Sequence, residues 1–245
     1  GQACVNTGQT KATFGTGAFV LTHTGDAPTT SDNRLLSTVA WQLGGERRYA
    51  LEGSVFVAGS LVQWLRDSLG LIATAAETEA LARSVPDTAG VFLVPALSGL
   101  GAPWWEPEAR ATLSGLSFAA TKAHVARAAL EAMAYQAADL QRAFAADGAT
   151  WTGLRIDGGM VANDWMAQDL ADVLALPVER PRFAETTALG AAMLAGVGAD
   201  VFADLDEAAG MRGAVDVFEP RIGADERDAR LSGWAGAIEA VIARR

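Results

Sequence analysis

The 245-residue chain is half hydrophobic and one-fifth charged, the balance of a folded globular protein and not of a disordered one. Its formal net charge of −10 argues against a nucleic-acid or anionic-membrane partner, which needs a basic face. Nucleotide binding survives that exclusion, because a few backbone N–H groups and a helix end bind phosphate locally. The one cysteine, Cys4, and two histidines, His23 and His124, leave no internal disulfide and no His/Cys zinc site to expect. No basic-then-apolar leader opens the chain, and no stretch has the eighteen or so continuous apolar residues of a membrane helix. A reducing, cytoplasmic setting is therefore expected. Gly1 stands where an initiator methionine is absent, and residues upstream are expected.

In chain order, the first elements are extended. "KATFGTGAFVLTHTG" reads as two strands around Gly15-Thr16-Gly17, and "LLSTVAWQL" follows the turn-rich "GDAPTTSDNR" as a third. "GGERRYALEGSVF" supplies a turn and a fourth strand. The pattern then switches to helical spacing in "VAGSLVQWLRDSLGL", with Leu61, Trp64, Leu65 and Leu69 along one side. "AAETEALARSV" predicts a second helix stopped by Pro86, and the continuous apolar run "GVFLVPAL" predicts a buried strand. The Gly/Pro loop "SGLGAPWWEPEARA" leads to a short strand, "TLSGLS". The longest helix comes next, with Thr121 as its N-cap and Gly148 just past its end. "GLRIDGG" predicts a strand feeding the helix "VANDWMAQDLADVLAL". "PVERP" reads as a strand, "ETTALGAAMLAGVG" as a small-residue helix and "DERDARLSGWAGAIEAVIARR" as a terminal helix. This order, β-rich and then alternating, predicts one α/β domain over residues 1–245, a mixed sheet flanked by helices.

Two stretches can carry chemistry. In "RIDGGMVAND", Gly158 and Gly159 allow a tight turn and close approach of a ligand to the backbone. The following helix start offers unpaired N–H groups, and Asn163 offers an amide. In "TFGTGAFV", two glycines around Thr16 expose backbone N–H groups and a hydroxyl, an anion nest or an ordinary hairpin turn. Either motif alone is as readily structural as functional, and spacing does not show whether the two converge. For the remaining candidates the structural reading is preferred: His124 near a helix start, Trp104 and Trp105 anchoring a loop, and Asp32, Glu46 and Glu106 as solvated carboxylates.

Taken together and in order, "TKATFGTGAF", "YALEGSVFVAGSLVQWLRD", "VPALSGLGAPWWEPEARA", "LRIDGGMVAN" and "ETTALGAAMLAG" resemble the C-terminal half of FGGY carbohydrate kinases, in the actin/Hsp70/hexokinase-like ATPase superfamily. Ala111 to Glu131 also fits that family's second signature pattern. The "LEG" and "GLGAPWW" segments resemble the branch of the family that phosphorylates glycerol. The resemblance implies a ribonuclease H-like α/β domain that binds ATP with Mg²⁺ and works beside a second, polyol-binding domain. It implies nucleotide contacts at Thr16, Gly59, Gln63, Gly159 and Asn163, and a polyol contact at Phe19. The family's general-base Asp, in a Gly-Asp-Gln-Gln segment, falls upstream of Gly1, so no catalytic residue and no metal ligand is assigned within the chain, and the isolated chain is expected to be inactive. Mg²⁺ is expected on the phosphates and waters, with carboxylates from the other domain. Dimers or tetramers of the full-length protein are also implied. Two alternatives stay open: an FGGY kinase for erythritol or a pentulose, and a non-catalytic nucleotide switch of the actin-like superfamily.

Overall fold

The computed structural model describes residues 1–183 and 185–243. Its centre is a seven-stranded mixed sheet. Strands β1 (Thr10–Phe14), β2 (Ala18–Gly25), β3 (Leu36–Leu43) and β4 (Glu46–Val55) form an antiparallel half. Strands β7 (Leu154–Asp157), β8 (Val178–Pro181) and β9 (Val215–Phe218) complete the order β3-β4-β2-β1-β7-β8-β9. The central strands β1, β7 and β8 run parallel to one another. Between the halves of the chain, β5 (Phe92–Val94) pairs with β6 (Thr112–Ser114) in a separate two-stranded sheet.

Alternation along the strands gives the large sheet two different faces. Ala12 lies opposite Val20 and Ile156, and Phe14 opposite Ala18, which in turn lies opposite Val55. All of these are buried. The other face carries Lys11, Thr13, Phe19, Leu21, Ser54 and Asp157, again in cross-strand register.

The apolar face is covered by α3 (Lys122–Ala146), whose Met133, Ala137 and Leu140 lie against Phe14, Ala18, Val20 and Val55. Its alanines have the highest helix propensity and let neighbouring elements approach closely. At its start the Thr121 N–H donates to His124 Nδ1 at 3.1 Å, so His124 caps the helix. The helix ends before Gly148, at φ +80°. Helix α4 (Asp164–Leu174) packs beside α3 on the same side. The C-terminal α7 (Ala224–Ile242) is joined to both through Arg230, which donates to Asp169 Oδ1 at 2.6 Å and to Tyr135 Oη at 3.1 Å. Helix α5 (Thr186–Gly198) lines a cavity over the opposite, more polar face.

The predicted elements are present, with four differences. The helix expected from Val161 begins at Asp164, after a 3₁₀ turn over Gly159–Ala162, and Asn163 is its N-cap. Helix α1 (Gly59–Asp67) ends before Leu69, which is 47% exposed and does not continue the buried side made by Leu61 and Leu65. The chain turns there through Gly70 at φ +62°. Only Phe92–Val94 of the apolar run is strand; Val91 and Ala96, on either side, are buried without belonging to it. Strand β9 and the short helix α6 (Leu205–Ala209) were not expected from the sequence. Both are short, and β9 is a half-exposed edge strand with little hydrophobic signal.

Candidate functional site

The turn Gly15-Thr16-Gly17 joins β1 to β2, and Gly15 N–H donates to Gly17 O at 2.9 Å. It lies against the start of α1. Ala58 and Ser60 N–H groups donate to Thr16 O at 2.9 and 3.1 Å, and Gly59 N–H donates to Gly15 O at 2.8 Å. The Ser60 hydroxyl donates to Thr16 O as well, at 2.9 Å. The first N–H groups of α1 are therefore satisfied by the turn's carbonyls, where a helix start otherwise leaves them open. Thr16 is exposed, and its hydroxyl bonds to none of the described residues.

Three glycines make this junction possible. A Cβ on Gly17 would lie 2.4 Å from Val55 O, and one on Gly59 would lie 2.6 Å from Gly15 O. Gly158, at φ +97°, would bring a Cβ to 2.4 Å from Phe14 O. No side chain fits at such separations, so turn, helix and second turn nest backbone against backbone. Met160, just after Gly159, reaches the Gly59 position. The two glycine motifs thus converge, which spacing alone did not show.

Beside the junction is a cavity of about 780 Å³, lined among others by Thr13, Asp157, Gly159, Arg180 and Thr186. It opens beyond the carboxyl ends of the parallel strands β1, β7 and β8, the edge at which α/β sheets place ligands. A Cβ on Gly159 would meet nothing within 4 Å, so this glycine faces open space while Gly158 is packed. Gln63 is exposed one helical turn after Gly59. Asn163 is committed to the protein itself. Its Oδ1 accepts from Met166 N–H at 2.9 Å as the N-cap of α4, and its Nδ2 donates to Thr78 Oγ1 at 3.3 Å in α2 (Glu77–Arg83). Phe19 lies on the polar face of β2, 47% exposed, opposite Thr13 and Ser54.

Positive charge at the cavity rim is already balanced. Arg180 donates to Val161 O at 2.7 Å and to Asp164 Oδ1 at 2.8 Å. Both Arg180 and Arg182 reach Asp216, whose carboxyl they hold below the ordinary range, chiefly through the Arg180 hydrogen bond.

Asp157 was not singled out from the sequence. It is 5% exposed, and its Oδ2 accepts from Gln2 Nε2 at 2.9 Å and Thr186 Oγ1 at 2.8 Å. It thereby ties the N-terminal segment and the start of α5 to β7. The available signal was a carboxylate placed directly before Gly-Gly at a strand end. No group of three or more His, Cys, Asp or Glu is arranged to hold a metal among the described residues. His23 is buried and lines an adjoining cavity of about 280 Å³ that shares Thr13, Asp157, Thr186 and Thr187 with the first, and burial and then Arg48 lower its pKa.

A family profile for the FGGY family of carbohydrate kinases, C-terminal domain, matches residues 10–199. The chain belongs to that family. Among curated FGGY relatives, the glycerol kinases of Rhodospirillum centenum and Aromatoleum aromaticum are each 54% identical, over 97% and 98% of the chain. The alignments take in 48% of each relative, so the chain spans about half their length. Among solved structures, Plasmodium falciparum glycerol kinase with ADP superposes with a TM-score of 0.91 at 34% identity, covering 98% of the chain and 48% of that protein. A xylulose kinase from Rhodospirillum rubrum reaches 0.83 at 24% identity over 98% of the chain and 49% of that protein, a likeness of fold. The architecture is therefore that of the actin-like ATPase fold of FGGY kinases, as the α/β, ribonuclease H-like expectation had it.

Proposed function

We propose that this chain is the ATP-binding C-terminal half of a glycerol kinase, and that the full-length enzyme transfers the γ-phosphoryl group of ATP to a terminal hydroxyl of glycerol, giving glycerol 3-phosphate. The observation that carries this reading is the convergence of the Gly15-Thr16-Gly17 turn, the start of α1 and Gly158-Gly159 beside one cavity. The similarity to proteins named glycerol kinase narrows the acceptor.

Each residue contributes to binding and positioning, on which phosphoryl transfer chiefly depends. The Thr16 hydroxyl donates to a phosphate oxygen, and Gly59 keeps that turn seated on α1. Gly159 lets the nucleotide approach the backbone, and Gln63 projects from the same face of α1 as Gly59. Asn163 acts by fixing the α4 start beneath the adenosine end. Phe19 packs against the carbon backbone of the polyol. The proton acceptor for the glycerol hydroxyl lies outside this chain, in a preceding polyol-binding domain, and the isolated chain is inactive. Mg²⁺ would be held by the ATP phosphates and waters, as this ion favours, with carboxylates from the preceding domain, and no ligand to it is assigned in this chain, where Asp157 is already engaged by Gln2 and Thr186. The setting is the cytoplasm, and the full-length enzyme is a dimer or tetramer. Among the described residues, no helix is long and apolar enough to cross a membrane.

The test is to compare ATP-dependent phosphorylation of glycerol, erythritol and a pentulose by the full-length protein, with and without Thr16→Val. Glycerol should be preferred, and the substitution should lower kcat/KM for ATP by about tenfold or more, the loss of one charge-assisted hydrogen bond. Preference for another acceptor, or an unchanged variant, overturns the reading.

A further inference from the structure

Asp139 lies in the middle of α3 and is 5% exposed, and none of the roles above uses it. Its Oδ2 accepts two indole N–H groups, from Trp234 of α7 at 2.8 Å and from Trp104 at 3.2 Å. Arg142 reaches Oδ1 at 3.4 Å. Three segments distant in sequence therefore meet at one carboxylate. A buried carboxylate is costly unless its bonds are well made, and burial raises this one to about 6. Packing alone would be served as well by an apolar side chain.

Trp104 belongs to the Gly/Pro loop 98–110, and the loop leads to the site. Arg34 Nη1 donates to Trp104 O at 2.6 Å, while Trp105 Nε1 donates to Arg34 O at 2.7 Å. Trp105 then meets Phe56 edge-on, with ring centroids 5.9 Å apart. Ala102 N–H donates to Ser54 O at 2.8 Å, and Gly101 approaches so closely that a Cβ there would lie 2.2 Å from Ser54 O. Ser54 is the cross-strand neighbour of Phe19. Gly17, at the end of the phosphate turn, packs on Val55 O and Phe56 O. The loop thus packs on the end of β4, against which both Phe19 and the turn rest.

We propose that Asp139 is a positioning residue for the polyol side of the site, holding Trp104 so that the Trp105–Phe56 wall and the end of β4 keep Phe19 at the separation the acceptor needs. The proposal rests on the kinase reading above. It concerns the acceptor more than the nucleotide, because Ser54, which the loop touches directly, is the cross-strand neighbour of Phe19, whereas the phosphate turn is held a second time, by the Ala58, Gly59 and Ser60 N–H groups at the start of α1.

The test uses the full-length protein. Asp139→Ala should raise KM for the polyol by about tenfold while KM for ATP stays within about twofold, and Asp139→Asn, which keeps an acceptor oxygen, should restore most of the loss. Equal changes in both KM values, an unchanged polyol KM, or an Asn variant as poor as Ala overturns the proposal. Should Asp139→Ala fail to fold, Trp104→Phe leaves Asp139 paired with Trp234 and should still raise polyol KM about threefold; an unchanged value overturns the proposal. A second readout is independent of activity. Amide exchange at Trp105 and Glu106, whose N–H groups donate to Gly101 O and Leu100 O, should accelerate by about tenfold in either variant, with β8 and β9 unaffected. If the wild-type protein phosphorylates no polyol, the kinase reading falls, and this exchange measurement alone decides whether Asp139 holds the loop: acceleration supports that role and unchanged exchange overturns it.

Discussion

The two faces of the large sheet are made by alternate residues of the same strands, yet they serve different ends. On one face Ala12, Phe14, Val20 and Val55 are sealed under α3, with exposures of 5% or less. On the other, Thr13, Phe19 and Asp157 meet polar partners, cavities or solvent. A one-residue step along β1 crosses from core to site, because side chains alternate across a strand. The comparison teaches that stability and recognition are separable here by residue parity, except where glycines join the two. Gly158 is packed on the Phe14 backbone and belongs to the fold, whereas Gly159 faces open space at the cavity.

The sharpest break of that separation is Gly158→Ala. A Cβ would lie 2.4 Å from Phe14 O at a φ of +97°, so stability should fall by about 3 kcal/mol or more, read as a lowered urea midpoint. Leu140→Ala removes a fully buried side chain on the sealed face and should cost about 3 kcal/mol, without changing KM for ATP in whatever fraction stays folded. Thr16→Val inverts this pattern. The lost hydroxyl bonds to none of the described residues, so stability should move by less than about 0.5 kcal/mol while turnover falls. A large stability loss would show that the turn is structural after all.

The smallest effect is on pH dependence. Burial raises Asp139 to about 6, opposed by its Trp234, Trp104 and Arg142 contacts. Its folded pKa thus lies above its unfolded value, and the folded state binds the proton more tightly between about pH 4 and 6. This group's contribution therefore favours the folded state more as pH falls through that window, by less than about 1.4 kcal/mol per pH unit. Asp139→Asn should flatten that component, checked by urea midpoints at pH 4.5 and 6.5. An unchanged slope would mean that the carboxyl titrates in its ordinary range.

Much of the fold was legible in the residues. Period-2 alternation in β1 and β2, the Thr121 and Gly148 punctuation of α3 and the strand ending in Gly-Gly appear where the pattern placed them, although the helix that follows starts three residues late, at Asp164. Leu69 misled because helical spacing continued one turn beyond the helix itself. Strand β9 escaped because an edge strand of four half-exposed residues needs no strong pattern of its own. At the candidate site, Thr16 and Gly159 were expected from their glycine context and the family resemblance, and the structure puts their two turns side by side. Asn163 was found too, but its amide proved to be committed to capping α4 and to Thr78. Asp157 and Asp139 were missed because a lone carboxylate in a sequence gives no sign of being buried.

By itself the sequence determined the α/β class, the element order and the presence of two glycine turns, because these depend on local periodicity and on where only glycine is tolerated. Tertiary structure alone decided that the turns converge, that the carbonyls of Gly15 and Thr16 cap α1, and that one oxygen of Asp139 joins the loop of Trp104 to α7. These are contacts between segments tens of residues apart, set by how the faces of sheet and helices pack and not by any local preference of the chain.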